Sequence, residues 1–129
     1  MPLDPATLDA IRDALARAES AGADRTADAL PLLREAADRL TELIDGSLAE
    51  AVVADGASLR GAGAQAGLSE NAVGPRLART AALAAYATPE GRVTAAGVER
   101  ARYDRESGTS RTAAQSPKPM RFTPRRRTP

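Results

Sequence analysis

The chain contains no cysteine and no histidine, and its only aromatic residues are two tyrosines and one phenylalanine. The first two absences exclude disulfides, zinc sites built on thiolates or imidazoles, and any catalytic triad with histidine as its base. Paired carboxylates are present, but they recur on the polar faces of predicted helices, where acidic groups are ordinarily solvated. The sequence therefore predicts no metal site, no cofactor and no enzymatic activity.

Long apolar runs are also missing from the sequence. No segment approaches the roughly 20 apolar residues that a membrane-spanning helix needs. The N-terminus, MPLDPATLDA, has neither the basic nor the apolar region of a signal peptide. No pattern indicates a small-molecule ligand. We therefore expect a cytoplasmic protein without a membrane partner.

Alanine dominates the apolar residues that are present, and leucines are spaced among the alanines. Alanine and leucine favour helices, and the chain has almost no β-branched runs that would favour strands. An alanine-rich core buries little apolar area per residue, so that it stabilises a fold only modestly. We predict a mostly α protein whose stability is helped by dimerisation.

The net charge of +1 conceals a division along the chain. Residues 1–56 carry 12 acidic and 5 basic side chains, whereas residues 57–129 carry 5 acidic and 13 basic ones. This asymmetry predicts an acidic body joined to a part that faces nucleic acid. The alternative is that the acidic first part only keeps its helices soluble.

Residues 1–56 are predicted to form an N-terminal helical scaffold. Asp4 and Pro5 are suited to the start of a first helix, which ends near Ala21. Pro31 begins a longer helix that continues to Ala54. The apolar positions are Leu8, Ile11, Leu15 and Ala18 in the first helix, and Leu33, Ala37, Leu40, Ile44, Leu48 and Ala51 in the second. The second strip, with a period near 3.5 residues, either supports the rest of the fold or packs against its own copy in a dimer.

The most informative stretch is SLRGAGAQAGLSENAVGPRL, which begins at Ser58. It predicts two short helices that are capped by Ser58 and Ser69 and have a Gly-Leu-Ser turn between them. Gly67 can take the positive φ of a sharp helix exit, and Val73 and Leu77 would face inward. This is the pattern of a helix-turn-helix, which places its second helix in the DNA major groove.

The dipeptide Gly74-Pro75 falls inside the presumed second helix. An interior proline removes a backbone hydrogen bond and clashes with the preceding turn. We therefore predict a single turn over residues 70–73 and a helix that restarts at Pro75 and continues to about Ala85. Gly61 and Gly63, in the first motif helix, would let the second helix approach closely.

The segment that follows the motif contains the turn signal Pro89-Glu90-Gly91, with flanks that could pair as a hairpin. Thr94 then caps a helix that extends to about Glu106, with Val98, Ala101 and Tyr103 facing inward. This order looks like the wing region of winged-helix regulators, and the alternative is a plain loop. Residues 57–106 are thus predicted as a helix-turn-helix domain with or without a small β wing.

Residues 107–129 are rich in Ser, Thr, Pro and Arg, a composition that predicts a disordered basic tail. From Ser116 onward the tail has five basic residues and no acidic one. It would serve either as a flexible arm for phosphates or the minor groove, or only as a solvated tail.

The motif resembles the helix-turn-helix of small actinobacterial regulators. The matching elements are Asp55-Gly56-Ala57-Ser58, Gly67-Leu68-Ser69 and Arg76-Leu77. The resemblance implies a helix-turn-helix fold that binds double-stranded DNA in a sequence-specific manner and regulates transcription. Symmetric half-sites in the DNA would call for a homodimer.

The candidate DNA-binding residues all lie in or beside the motif. They are Ser58, Arg60, Ser69, Glu70, Asn71, Arg76, Arg79 and Arg92. Asn71 is suited to reading adenine and Glu70 to accepting from cytosine, whereas the arginines are suited to phosphates. Arg76 has an alternative role, which is to pair with an acid of the body.

Two other functions fit the same sequence. The chain could be a protein–protein interaction module that uses its long acidic helix. It could also be an accessory DNA-binding protein of a plasmid or phage, with a role in partition, transfer or packaging.

Overall fold

The computed structural model describes residues 3–108, and every regular element in that range is helical. The α-helices are α1 (Pro5–Ala21), α2 (Leu30–Val53), α3 (Leu59–Gln65), α4 (Glu70–Ala78) and α5 (Ala95–Glu106). Two single 3₁₀ turns, Thr26–Ala29 and Ala84–Tyr86, lie between them. The mostly α prediction is confirmed. The predicted tail lies outside the described residues, except for its first two.

The helices α1 and α2 form an antiparallel hairpin. Asp4 caps α1 with its side chain, as the sequence predicted, and Ile11 is the largest buried residue that α1 contributes. The guanidinium of Arg17 donates to Glu35 across the two helices at 3.0 Å. The hydrogen bonds from Arg17 and then from Arg39 lower the pKa of Glu35 below its ordinary value. Ion pairs therefore line one side of this hairpin.

The main core lies at the other end of α2, under α3, α4 and α5. Its buried side chains are Leu48, Ala49, Val52, Ala62, Val73, Leu77, Leu83, Tyr86, Val93, Val98 and Ala101. The single helix α2 thus serves both the hairpin and the core. Because α2 has 24 residues, it is about 36 Å long, which is sufficient for both.

The apolar strip predicted for α2 has two different environments. Leu48 is buried in the main core, whereas Leu33 and Leu40 are 43% and 46% exposed. The buried position in the first part of α2 is instead Ala36, which lies on the side that packs against α1. Of the six predicted strip positions only Leu48 is buried, so burial follows the strip only where a second layer of helices covers it.

The last helix is held to the core by a side chain that the sequence did not single out. Thr94 caps α5 by accepting from the N–H of Gly97 at 3.4 Å, as predicted. Arg102 then donates to the carbonyls of Val52 (2.8 Å) and Ala57 (3.1 Å), at the end of α2 and just before α3. Tyr103, predicted to face inward, is instead 70% exposed, because the buried stripe of α5 runs through Val98 and Ala101.

Candidate nucleic-acid interface

The helices α3 and α4 are joined by the short turn of residues 66–69. Ser58 caps α3 by accepting from the N–H of Gly61 at 2.9 Å. Gly67 has a φ of +75°, the left-handed conformation that glycine adopts without strain. Gly63 packs so closely on Val73 of α4 that a Cβ at Gly63 would collide with the valine methyl Cγ2. These three features bring two short helices into direct contact.

The helix α4 is continuous from Glu70 to Ala78, so the predicted break at Gly74-Pro75 is wrong. Pro75 is exposed and lies four residues after Asn71, which is also exposed. The backbone hydrogen bond that Pro75 cannot donate would go to the carbonyl of Asn71. Asn71 and Pro75 lie on the solvent side of the helix, whereas Val73 and Leu77 are buried on the opposite side and hold α4 on the core.

The helix α4 also ends earlier than predicted, at Ala78 rather than near Ala85. Thr80 is buried, its hydroxyl donates to the carbonyl of Leu77 at 2.7 Å, and it accepts from the N–H of Leu83 at 3.3 Å. A threonine that bonds the local backbone in this way competes with helix propagation. Thr80 therefore turns the chain toward the 3₁₀ turn at Ala84–Tyr86.

The segment between Tyr86 and Thr94 is a loop, and no residue of the range 3–108 forms a strand. The N–H of Thr88 donates to the carbonyl of Arg92 at 2.8 Å, which closes the turn at Gly91 (φ +83°). The predicted hairpin strands are not formed there, because this is one backbone bond rather than a ladder. The segment thus has the form of the plain-loop alternative.

This loop is docked on α4. The N–H of Val93 donates to the carbonyl of Gly74 at 3.0 Å, in the middle of the helix. A Cβ on Gly74 would lie 3.0 Å from the Val93 carbonyl and 3.3 Å from Cβ of Arg92. The missing side chain at Gly74 is therefore what lets the loop approach. We call this contact between Gly74, Arg92 and Val93 the loop clasp.

The loop clasp places a cationic side chain beside the exposed side of α4. The Nε of Arg92 is 3.4 Å from where a Cβ of Gly74 would be, so the arginine lies along the helix rather than away from it. Arg92 is exposed, as are the neighbouring α4 residues Asn71 and Pro75. If this segment formed a wing, Arg92 would lie at its tip. In the structure it lies against the helix that the wing was expected to flank.

Two arginines at the end of α4 are attached to α2 through one acid. Arg76 donates from Nε to Asp45 at 2.7 Å, and the guanidinium of Arg79 is 3.7 Å from the same carboxylate. The Arg76 side chain is only 23% exposed, whereas that of Arg79 is 65% exposed. Arg76 therefore takes the alternative role of pairing with an acid of the body. Arg79 retains donors that face solvent.

The start of α4 carries a cross-helix ion pair. Arg60 of α3 donates to Glu70 at 2.7 Å, and both side chains are well exposed. The carboxylate predicted to accept from cytosine is thus held by a neighbouring arginine. Ser69 occupies the cap position of α4, but its side chain makes no cap hydrogen bond. Ser69 is exposed at the entrance of the helix.

The eight candidate residues therefore divide into three groups. Ser58 and Arg76 are engaged within the fold, and Arg60 and Glu70 are paired with each other. Ser69, Asn71, Arg79 and Arg92 are exposed on or beside α4. Sequence reasoning missed Asp45 and the role of Gly74 as the point where the loop docks. An acid within an apolar helix pattern was the signal that could have drawn attention to Asp45.

The basic excess of the second part of the chain is mostly outside this surface. Residues 57–108 hold seven basic and five acidic side chains, and the remaining six basic residues follow residue 108. The excess of basic over acidic residues therefore lies more in the tail than in the motif. The attraction for DNA from the described part depends on where its arginines lie, rather than on its net charge.

The described part of the chain contains neither a metal-binding group nor a membrane-spanning helix. Among residues 3–108 there is no group of three acidic side chains placed to hold a metal ion. No helix of that range is long and apolar enough to cross a membrane. Comparison of the sequence with protein-family models, curated proteins and solved structures found no match.

Proposed function

We propose that this protein binds double-stranded DNA through α4 and the docked loop, and that it regulates transcription as a sequence-specific homodimer. The observation that carries the proposal is the loop clasp, because it adds an arginine to the exposed side of the second helix of a helix-turn-helix-like pair. Base edges and phosphates are then within reach of one surface.

The exposed residues of α4 have separable roles in this proposal. Asn71 lies in the first turn, where side chains of a recognition helix reach base edges, and its amide suits adenine. Arg79 and Arg92 flank it and suit phosphates. Arg76, held by Asp45, acts by fixing α4 on α2. The Arg60–Glu70 pair also links α3 to the start of α4, but more weakly because both side chains are exposed.

The test of DNA binding compares arginine variants of equal charge. Arg92→Ala should weaken binding to every duplex and lower the slope of log affinity against log salt by about 1, because one phosphate contact is lost. Arg25→Ala, an exposed arginine between α1 and α2, is the matched control and should leave the slope unchanged. Fluorescence anisotropy over a salt series measures both. No duplex binding by the wild type at low salt would refute the proposal.

Sequence reading is tested by Asn71→Ala. Selection from random duplexes, read by sequencing, first supplies the preferred site. Asn71→Ala should then cost about 1–3 kcal/mol on that site and leave non-specific binding nearly intact. An unchanged ratio of specific to non-specific affinity would remove α4 from the major groove. Selection that yields no preferred site would favour an accessory DNA-binding role over that of a regulator.

A further inference from the structure

The hairpin exposes leucines of both its helices. Leu15 of α1 is 49% exposed, and Leu33 and Leu40 of α2 are exposed to a similar degree. Leu8, one heptad before Leu15, is half-buried. Isolated exposed leucines are ordinary on protein surfaces, but a contiguous group indicates a contact surface.

Helical periodicity places them on the same face. One residue advances an α-helix by about 100°. In α1 the buried line runs through Ile11, Ala14 and Ala18, so Leu8 and Leu15 lie about a quarter turn to one side of it and Arg17 about a quarter turn to the other.

The helix α2 has the same arrangement in reverse direction. The side of α2 that packs against α1 contains Ala36. Leu33 and Leu40 lie to one side of Ala36, and Glu35 lies to the other. Because Arg17 and Glu35 pair at 3.0 Å, they mark a common face of the antiparallel hairpin. The leucines must then share the opposite one. We call Leu8, Leu15, Leu33 and Leu40 the leucine face.

Charge is distributed so that the leucine face can meet an identical surface. Four carboxylates of the hairpin lie on the ion-pair side, by the same periodicity: Asp13, Glu35, Asp38 and Glu42. At the edge of the leucine face α1 has one residue of each sign, Arg12 and Glu19, and the cap residue Asp4 lies one turn before Leu8. Most of the acidity of the hairpin is thus directed away from this face, and two copies can approach with few like charges between them.

The leucine face continues along α2 toward the core. A groove of about 330 Å³ lies where α2 passes α3, and its lining includes Leu3, Ile44, Ala51 and Ala62. The hydroxyl of Ser47, which also lines the groove, has no hydrogen-bond partner. From Leu33 to Ala51 the apolar strip is about 27 Å long. The contact surface therefore extends from the hairpin to the edge of the motif.

We infer that a second copy of this chain packs its leucine face on this one, so that the two hairpins form a four-helix bundle. Two helices, each about 10 Å wide and 25–35 Å long, present roughly 500–700 Å² per copy, close to the ~800 Å² of a standard interface. Because α2 continues under α4, the bundle would also set the distance between the two α4 helices. The dimer serves the DNA binding of the proposed function, but its formation can be measured without DNA.

Sedimentation of single variants tests the interface. The wild type should be a dimer at concentrations on the order of 50 μM, and Leu15→Gln and Leu33→Gln should each raise the dimer dissociation constant at least tenfold. Ala16→Gln is the matched control, since Ala16 is exposed on the side of α1 that faces away from α2. A monomeric wild type, or leucine variants that dimerise like the control, would overturn the inference while leaving DNA binding to be tested separately.

A second measurement covers the case in which a glutamine variant fails to fold. Because the chain has no cysteine, an introduced thiol is its only reactive one. Labelling of Leu33→Cys by a maleimide should slow several-fold as protein concentration rises through dimer formation, whereas Glu42→Cys, on the ion-pair side, should label at a constant rate. Equal, concentration-independent rates at both positions would contradict the proposed interface.

Discussion

At the scale of single residues, Asp45 links α4 to α2. It is only 7% exposed, and its carboxylate contacts both Arg76 and Arg79. Removal of one partner from a mostly buried ion pair leaves the other charge desolvated without compensation. The cost is therefore larger than that of breaking an exposed pair, which is usually below about 1 kcal/mol.

We expect Asp45→Ala to lower the free energy of unfolding by about 2–4 kcal/mol, because Arg76 loses its partner in a poorly solvated position. Asp38→Ala is the control on the same helix. Its partner Arg34 is well exposed, so the change should stay within about 0.5 kcal/mol. Urea unfolding followed by circular dichroism measures both. Equal effects of the two substitutions would show that Asp45 does not anchor α4.

At the scale of elements, the loop clasp depends on one glycine. Gly74 offers no side chain where the backbone of Val93 approaches, so an added methyl group must displace the loop. Two effects compete in Gly74→Ala. Alanine favours the helix by about 1 kcal/mol over glycine, whereas overpacking against a backbone atom costs about 1–3 kcal/mol. The steric term is the larger one because the neighbouring atom cannot rotate away.

Gly74→Ala should therefore lower the free energy of unfolding by about 1 kcal/mol and weaken duplex binding, since Arg92 moves with the loop. Gly46→Ala is the matched control, because nothing lies within 4 Å of a Cβ at Gly46. It should instead stabilise the protein by about 0.5–1 kcal/mol, as expected for alanine in a helix interior. Thermal unfolding and anisotropy distinguish the two. Stabilisation by both substitutions would contradict the clasp.

The elements also show how far the sequence predicts this fold. Helix starts followed from local chemistry: Asp4, Ser58 and Thr94 each accept a backbone hydrogen bond at the predicted cap. The prediction failed at Pro75, because it compared the cost of an interior proline only with the stability of the local helix and left tertiary packing out. The burial of Val73 and Leu77 on its far side, which sustains α4, is tertiary information.

The candidate site was only partly predictable, because the helical period positions some of its residues and tertiary contacts position others. Exposure of Asn71 and Arg79 follows from the helical period of α4. The position of Arg92 does not, because it depends on a backbone bond between residues 74 and 93 that no local pattern specifies. The division of the predicted site residues into those engaged within the fold, those paired with each other and those that are exposed likewise required the fold.

At the scale of the whole molecule, the two ends of α2 pack against buried side chains of different size. Alanines dominate the buried positions of the hairpin, together with Ile11, whereas Leu, Val and Tyr side chains fill the main core. Alanine burial contributes little apolar area, so the hairpin gains less free energy from packing than the core does. A dimer contact at the leucine face would compensate for this deficit.

Native-state hydrogen exchange should reveal this difference. Amides of α1 should exchange through an opening of lower free energy than those of α4, because the hairpin is the less well packed unit. If the hairpin is the dimer interface, protection of α1 should also rise with protein concentration. The amides of Val73 and Leu77 are the internal reference. Equal protection of α1 and α4 at all concentrations would contradict this prediction.

The contacts of Arg102 have a consequence for how the chain is synthesised. Its guanidinium holds the carbonyls of Val52 and Ala57, groups that emerge from the ribosome some 50 residues earlier. At 5–20 residues per second, that interval lasts roughly 3–10 s. During this time Arg102 has not yet been synthesised, so that the junction between α2 and α3 lacks these two hydrogen bonds. A nascent chain that stops after α4 therefore still lacks the guanidinium that bonds these two carbonyls.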